Sequence, residues 1–228
     1  MRANVPATAT REDGPRRNPQ LGSTKELVVR RLLLLAGLVV SLGPAGVRAE
    51  LATATFAGGC FWCMEPAFEG LDGVVSTTVG YTGGHTKNPT YEDVSAGRTG
   101  HAESVQVVYD PARISYARLL DIFWHNVDPF TANAQFCDHG NQYRSAIFYH
   151  DETQHHLAEA SKERIQKTNH PIVTEIVAAS AFYPAEDYHQ RYHHKNPIRY
   201  RVYRWNCGRD QRLKELWGDE ASSGAPTP

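Results

Sequence analysis

Two hydrophobic patterns alternate along the chain and predict its secondary structure. Short runs rich in β-branched and aromatic residues predict strands at 53–57, 74–81, 103–109, 145–149 and 171–179. Helical spacing or a capping residue predicts helices at 61–69, from Ser115 to Val127, from Thr153 to about 169 and at 186–194. Glycine and proline signals predict loops at 82–100 and 128–142.

This irregular mixture of strands and helices favours an α+β fold over a doubly wound sheet. We expect a single-domain two-layer sandwich, in which helices flank a mixed sheet. Pro66 lies within the first predicted helix, where proline is tolerated only near the first turn.

The first 49 residues differ from the rest and predict an export leader. Arg30 and Arg31 precede the apolar run LLLLAGLVVSLGPAG, and small residues stand at the −3 and −1 positions before a cleavage point after Ala49. We expect a periplasmic or extracellular protein with a leader at 1–49, a catalytic domain at 50–218 and a disordered tail at 219–228. An uncleaved N-terminal anchor is the alternative, although no apolar run is long enough to predict a stable membrane span.

Charge and cysteine content limit the functions that residues 50–228 are expected to have. Residues 50–228 carry 16 Lys and Arg against 22 Asp and Glu, a net charge of −6, which makes nucleic acid an unexpected partner. All four cysteines lie in this part of the chain. Four are too few for a disulfide scaffold in a domain with a full core, so reversible thiol chemistry is expected.

The run GGCFWC places Cys60 after a strand and two glycines, at the start of a helix. Unpaired N–H groups and the helix dipole stabilise a thiolate at such a position, so we expect Cys60 to react. Phe61 and Trp62 either pack in the core or form the wall of an apolar pocket beside it.

Two further segments carry candidate polar chemistry. Glu103 stands where a loop enters an apolar strand, so it is either a solvated glutamate or a half-buried proton donor with a raised pKa. The run QFCDHGNQY brings Cys137, Asp138 and Tyr143 into one loop, which is either an ordinary turn or part of a site.

Six ordered motifs resemble the peptide methionine sulfoxide reductases of the A type. They cover most of residues 53–200 and read GGCFWCMEPAFEGLDGV, GYTGG, NPTYEDVSAGRTGHAESVQVVYDP, FW-x-N-x-DP, DHGNQYRSAIF and FYPAEDYHQRYHHKNP. The resemblance implies that Cys60 is the nucleophile, that Phe61 and Trp62 hold the sulfoxide methyl group, and that Glu103 protonates the oxygen. It also implies polar groups around that oxygen, which are Tyr91, Asp138 and Tyr143.

The implied reaction is reduction of the S epimer of methionine sulfoxide, in oxidised proteins and as the free amino acid. Cys60 becomes a sulfenic acid, a second thiol condenses with it, and a thioredoxin-like reductant reduces the disulfide. The resemblance implies no cofactor and no metal, and we expect a monomer.

The chain departs from the family pattern in its other cysteines. Many members have glycine at the position of Cys63, and the segment YRWNCGRDQRLKELWG replaces a glycine-rich cysteine tail. The resolving cysteine therefore stays open. Cys207 is favoured on the assumption of a mobile C-terminal segment, Cys63 lies one helical turn from Cys60, and Cys137 adjoins the predicted pocket.

The histidine-rich run DYHQRYHH raises the question of a metal. His189 and His193 have helical spacing, but Gln190 stands where a zinc-protease motif needs glutamate, so we expect a structural or pocket-lining role.

Three other functions remain as alternatives. A thioredoxin-like exchanger would use C-x-x-C without Glu103. A zinc deaminase would need the cysteine pair after His101-Ala102-Glu103, the reverse of the order here. A methionine-peptide binding module would keep affinity without turnover.

Overall fold

The computed structural model describes Gly14, residues 50–166 and residues 171–221. The predicted leader lies outside this part of the chain except for Gly14, as does the predicted tail beyond residue 221. Among the described residues, no helix has the length and apolar character needed to cross a membrane.

Residues 50–221, as described, form one α+β domain around a six-stranded sheet with the order β7-β6-β1-β3-β2-β8. Its strands are β1 (Ala52–Gly58), β2 (Val74–Thr82), β3 (Ala102–Tyr109), β6 (Ser145–Tyr149), β7 (Glu175–Ala178) and β8 (Tyr183–Pro184). Only the β6–β7 pair is parallel, so the sheet is mixed, as predicted. A separate two-stranded ladder joins β4 (Ala134–Gln135) and β5 (Asp138–His139).

The described helices are α1 (Phe61–Phe68), α2 (Tyr91–Ser95), α3 (Tyr116–Trp124), α4 (Glu152–Ile165), α5 (Tyr192–Lys195), α6 (Pro197–Asn206) and α7 (Arg209–Trp217). Short 3-10 turns occupy Asn141–Tyr143 and Gly218–Glu220. The predicted Ser115 cap is present, because its side chain accepts a hydrogen bond from the Arg118 N–H.

The main core lies between the sheet and helices α1, α3 and α4. Phe56 of β1 stacks on Phe68 of α1 and on Phe123 of α3, with both pairs of ring centroids 5.2 Å apart. Side chains alternate between the two faces of a strand, so Val105 and Val107 of β3 share the helix-facing side with Glu103. The strand period therefore directs a carboxyl group towards the start of α1.

Several predicted elements were wrong in detail. Asp151, not Thr153, caps α4. Pro66 lies in the second turn of α1, and this short helix forms without the hydrogen bond that the proline cannot donate. The strand predicted at 171–179 is confined to Glu175–Ala178.

The C-terminal region differs most from the prediction. Segment 186–194 is mostly turns, because Arg191 takes a left-handed φ of 53° and interrupts any helix. Helices α2, α6 and α7 were missed. No residue of α6 is fully buried, and its apolar residues with helical spacing, Ile198, Val202 and Trp205, are exposed.

Candidate active site

Strand β1 ends at Gly58, and Gly59 connects it to Cys60 at the start of α1. Between them, Gly59 has a φ of 81°, and a Cβ there would lie 2.4 Å from the Cβ of Gln135, so only glycine fits. Cys60 is the N-cap residue of α1 and is 6% exposed. The chain path therefore places a nearly buried thiol at the beginning of a helix.

A cavity of about 210 Å³ opens beside this thiol. Its walls are formed by Cys60, Phe61, Trp62, Tyr91, Glu103, Asp138, Tyr143 and Tyr203. The structure thus brings together in one cavity all seven residues predicted to be catalytic or substrate-binding. Tyr203 of α6 also lines the cavity and was not among the predicted residues.

The aromatic pair is fixed by ring contacts on both sides. Phe61 is buried and tilts against Tyr81 and His189, at centroid distances of 5.9 and 5.0 Å. Trp62 stacks on Tyr192 at 3.7 Å and donates its indole N–H to Nδ1 of His189 at 2.9 Å. The pocket wall is therefore rigid, and Trp62 has a satisfied indole nitrogen.

Glu103 lies on the helix-facing side of β3 and is only 2% exposed. Its Oε2 accepts a hydrogen bond from the Phe61 N–H at 3.0 Å, which ties the carboxyl group to the first turn of α1. Burial raises the pKa of Glu103 to about 8 and outweighs the lowering effect of that hydrogen bond. At neutral pH the group is mainly a carboxylic acid, so it can donate a proton into the cavity.

The pKa values of the other polar groups of the cavity are also raised, which favours their protonated forms. Burial raises the pKa of Tyr91 and of Tyr143, so both hydroxyls remain hydrogen-bond donors. Burial also raises the pKa of Asp138, although Tyr203 donates a hydrogen bond to its Oδ2 at 2.5 Å. The two tyrosines therefore supply neutral hydroxyl donors to the cavity in addition to the thiol.

The thiol pair differs from the prediction. Cys60 receives no hydrogen bond as a helix cap, and burial together with its hydrogen bond to Cys63 raises its pKa. The hydrogen bond from Cys60 and the nearby Arg209 and Arg204 guanidinium groups lower the pKa of Cys63 to about 7. The expectation that the helix start stabilises a Cys60 thiolate was wrong, because burial dominates and the first negative charge lies on Cys63.

Arg209 was missed in the sequence, yet it is 1% exposed and lies beside the thiol pair. Its Nη2 donates to the carbonyl oxygens of Gly58 and Asn126, at 3.2 and 2.7 Å. Its guanidinium also lies 4.5 Å above the ring of Phe136. Among the described residues it forms no ion pair with a carboxylate, so the Cys63 thiolate supplies a countercharge.

The other two predicted cysteines form a disulfide with each other. Cys137 and Cys207 are joined, whereas Cys60 and Cys63 are free thiols. Cys207 is the C-cap of α6, and the following helix α7 buries Leu213 completely. The expected mobile C-terminal segment is therefore wrong, because two helices and a crosslink hold Cys207 in place.

The histidine-rich run contributes to the site in separate ways. His189 lies against Phe61 and Trp62, and Gln190 bonds both backbone groups of Val79 at 2.9 Å. His193 and the neighbouring His194 lie instead beside Glu69, so these three are residues that could hold a metal. The second metal-type cluster contains the disulfide sulfurs of Cys137 and Cys207, which are not available as thiolate ligands.

Comparisons with known proteins agree on one family. A family model described as peptide methionine sulfoxide reductase matches residues 52–221. Peptide methionine sulfoxide reductase MsrA of Bacillus subtilis is 50% identical over 168 residues, which are 72% of this chain and 95% of the relative. Peptide methionine sulfoxide reductase MsrA 2 of Caulobacter vibrioides is 46% identical over 196 residues, 83% of this chain and all of the relative.

The chain is also similar to solved structures of two related proteins. The reduced form of Mxr1 from Saccharomyces cerevisiae aligns with a TM-score of 0.63 and 37% identity, over 66% of this chain and 88% of its own. Methionine sulfoxide reductase A of Corynebacterium diphtheriae aligns with a TM-score of 0.60 and 36% identity, over 67% of this chain and 78% of its own.

Proposed function

The chain belongs to the peptide methionine sulfoxide reductase family, and on that premise we propose how its residues perform thiol-dependent reduction of methionine S-sulfoxide. The observation that carries the proposal is the single cavity that unites the Cys60 thiol, the protonated Glu103 and the Phe61–Trp62 wall. Methionine sulfoxide has a polar S–O group and an apolar methyl on one chiral sulfur, which fits these three parts.

The substrate is oriented by shape and polarity. Its methyl group packs against Phe61 and Trp62, and its oxygen points towards Glu103, Tyr91 and Tyr143. Because both aromatic rings are held by neighbours, only one arrangement of the chiral sulfur exposes it to Cys60. This is the physical basis for selecting the S epimer.

The Cys63 thiolate is the base beside the Cys60 thiol. It accepts the Cys60 proton as the Cys60 sulfur bonds to the sulfoxide sulfur, because forming that bond makes the Cys60 thiol more acidic. As the S–O bond of the substrate breaks, its oxygen gains negative charge. Glu103 protonates this oxygen while the tyrosine hydroxyls donate hydrogen bonds. The hydroxyl group passes from the substrate sulfur to the Cys60 sulfur as the bond between the two sulfurs breaks, so methionine leaves and Cys60 is oxidised to the sulfenic acid.

We assign the resolving step to Cys63. Cys60 is an N-cap residue outside the regular helix, so its backbone is not constrained to helical geometry, and its side chain already lies against Cys63. The Cys63 sulfur attacks the Cys60 sulfenic acid, water leaves, and a Cys60–Cys63 disulfide forms.

A thioredoxin-like dithiol then restores both thiols. The Cys137–Cys207 disulfide has an exposed member at Cys137, so it offers the reductant an accessible first target. Its released thiols then reduce the buried Cys60–Cys63 disulfide by exchange. Substrates in this proposal are oxidised proteins and free methionine sulfoxide. The leader pattern supports an exported domain with cleavage near Ala49, and an uncleaved anchor is the competing outcome for N-terminal sequencing of the exported protein.

Single-turnover reduction of S- and R-sulfoxide peptides, with thiols titrated before and after, tests the proposal. Wild type should reduce only the S epimer and lose two thiols, Cys60→Ser should be inactive, and Cys63→Ser should stop at a sulfenic acid. Cys207→Ser is the matched cysteine control and should still lose two thiols in this single turnover. If Cys63→Ser does not stop at the sulfenic acid, the resolving role of Cys63 is contradicted, but the rest of the proposal is not. Disulfide exchange by wild type without reduction of either epimer would instead support the thioredoxin-like alternative.

A further inference from the structure

Two consecutive histidines and a distant glutamate converge on one point at the surface of the domain. Glu69 is the C-cap residue of α1, whereas His193 and His194 belong to α5. The Nε2 atoms of the two imidazoles lie 2.8 and 3.2 Å from Oε2 of Glu69. These three atoms all lie within 4.8 Å of one another.

The surrounding chain holds this arrangement in place. The left-handed Arg191 turns the backbone back towards α1, and its N–H donates to Oε2 of Glu65 at 2.8 Å. The Arg191 Nε donates to Oε1 of Glu69 at 2.6 Å. Because that oxygen is occupied, Oε2 is the oxygen left to face both imidazoles.

The polar groups of this cluster are incompletely satisfied. Nδ1 of His193 is a buried atom without a hydrogen-bond partner among the described residues. Glu69 and His193 are only 21% and 15% exposed, so water reaches them poorly.

We propose that Glu69, His193 and His194 form a binding site for a divalent transition-metal ion of the Zn²⁺ class. Two imidazole nitrogens and one carboxylate oxygen are a ligand set that Zn²⁺ prefers, with the fourth tetrahedral position open to water. Ligand atoms about 2.0–2.1 Å from zinc stand about 3.3 Å apart in a tetrahedron. The observed separations of 2.8 and 3.2 Å therefore need to open by only a few tenths of an ångström.

The local charges are compatible with the ion. Glu69 supplies one negative charge, and the Arg191 side chain is 61% exposed, so its guanidinium can move into solvent. Bound metal would crosslink the end of α1 to α5, which also carries Tyr192 against Trp62. The ion is therefore expected to stabilise the fold in this region, and it takes no part in the sulfoxide chemistry.

Titration calorimetry of the full-length, tag-free protein with ZnCl₂ tests this site. We expect one ion per chain, at least about tenfold weaker binding in Glu69→Gln, and a larger loss in His193→Ala/His194→Ala. The matched control is His155→Ala/His156→Ala, which removes the other adjacent histidine pair from α4 and should bind as wild type does. The single His194→Gln variant repeats the test with the least change to the fold.

Cobalt spectra and thermal melting separate this site from the thiols. Co²⁺ held by nitrogen and oxygen gives ligand-field bands without a thiolate-to-metal charge-transfer band, and Zn²⁺ should raise the melting temperature of wild type but not of the double variant. Unchanged binding in the double variant would overturn the proposal. So would a thiolate band that disappears in Cys60→Ser or Cys63→Ser, since the ion would then lie on the active-site thiols.

Discussion

Replacing Glu103 with glutamine should slow the enzyme and stabilise the fold. Glu103 is buried, and its folded-state pKa of about 8 compares with 4.5 for an exposed glutamate. Between these two pH values the folded protein keeps a proton that the unfolded chain has lost. The free energy of unfolding of wild type therefore falls as pH rises through this window, by about 1.4 kcal/mol per pH unit.

The magnitude follows from the same pKa difference. At pH 7 the shift costs the folded state about 3 kcal/mol, and above pH 8 the cost levels off at about 5 kcal/mol. Glutamine has no proton to lose, and its side-chain oxygen can still accept the Phe61 N–H at the position that Oε2 occupies now. Glu103→Gln should therefore be more stable than wild type, by a margin that widens as pH rises.

Urea unfolding of wild type and Glu103→Gln at intervals from pH 5 to pH 8.5 measures this margin. The exposed Glu163 on α4 provides a matched control, and Glu163→Gln should run parallel to wild type at every pH. In the activity assay, Glu103→Gln should lose about a hundredfold or more of its rate. Wild-type activity should fall above pH 8, when Glu103 loses its proton. A constant stability difference between the two proteins across this range would refute the reasoning, because it would mean that Glu103 titrates as an exposed carboxyl does.

Three further predictions test the wall of the pocket and the two cysteine pairs. Trp62→Ala should raise KM for sulfoxide peptides about tenfold or more, because it removes a stacked pocket wall, whereas Trp205→Ala, an 80% exposed tryptophan, should leave KM unchanged. Arg209→Met should shift the pH profile of Cys63 alkylation upwards, because the thiolate loses a buried cation, and the exposed Arg201→Met should not. Cys207→Ser should leave single turnover intact and slow thioredoxin-driven multiple turnover, and unchanged steady-state rates would contradict the proposed relay.

Features that depend on local sequence could be predicted without the structure. The strand period of 103–109 gave the position of β3, and Ser115 gave the start of α3. The spacing of Gly59 and Cys60 predicted a cysteine at the beginning of a helix, because a glycine turn and a following helix are encoded within a few residues. Helices α6 and α7 were missed, although Ile198, Val202 and Trp205 of α6 have helical spacing; these three side chains are exposed and do not pack in the core.

Identifying the residues of the cavity required both the sequence motifs and the tertiary structure. The ordered motifs identified Cys60, Glu103 and Tyr143 as one family pattern, but residue spacing alone left Glu103 as either a solvated or a buried group. Its burial depends on the alternation of β3 together with the packing of α1 over that strand. Tyr203 lines the cavity from α6, a helix that had not been predicted.

The sequence by itself determined the family and the positions of the main strands along the chain, and it predicted Cys60 as the nucleophile, because these features are encoded in nearby residues and their spacing. Only the tertiary structure decided which thiol carries the charge, which cysteines pair and which histidines meet Glu69. The hydrogen bond from Cys60 lowers the pKa of Cys63 most, and Arg209, distant in the chain, lowers it further. Cys207 pairs with Cys137 and His193 meets Glu69, both across large separations in the chain. Electrostatic and hydrogen-bond energies depend on distance and burial in space, and only the folded chain sets those quantities.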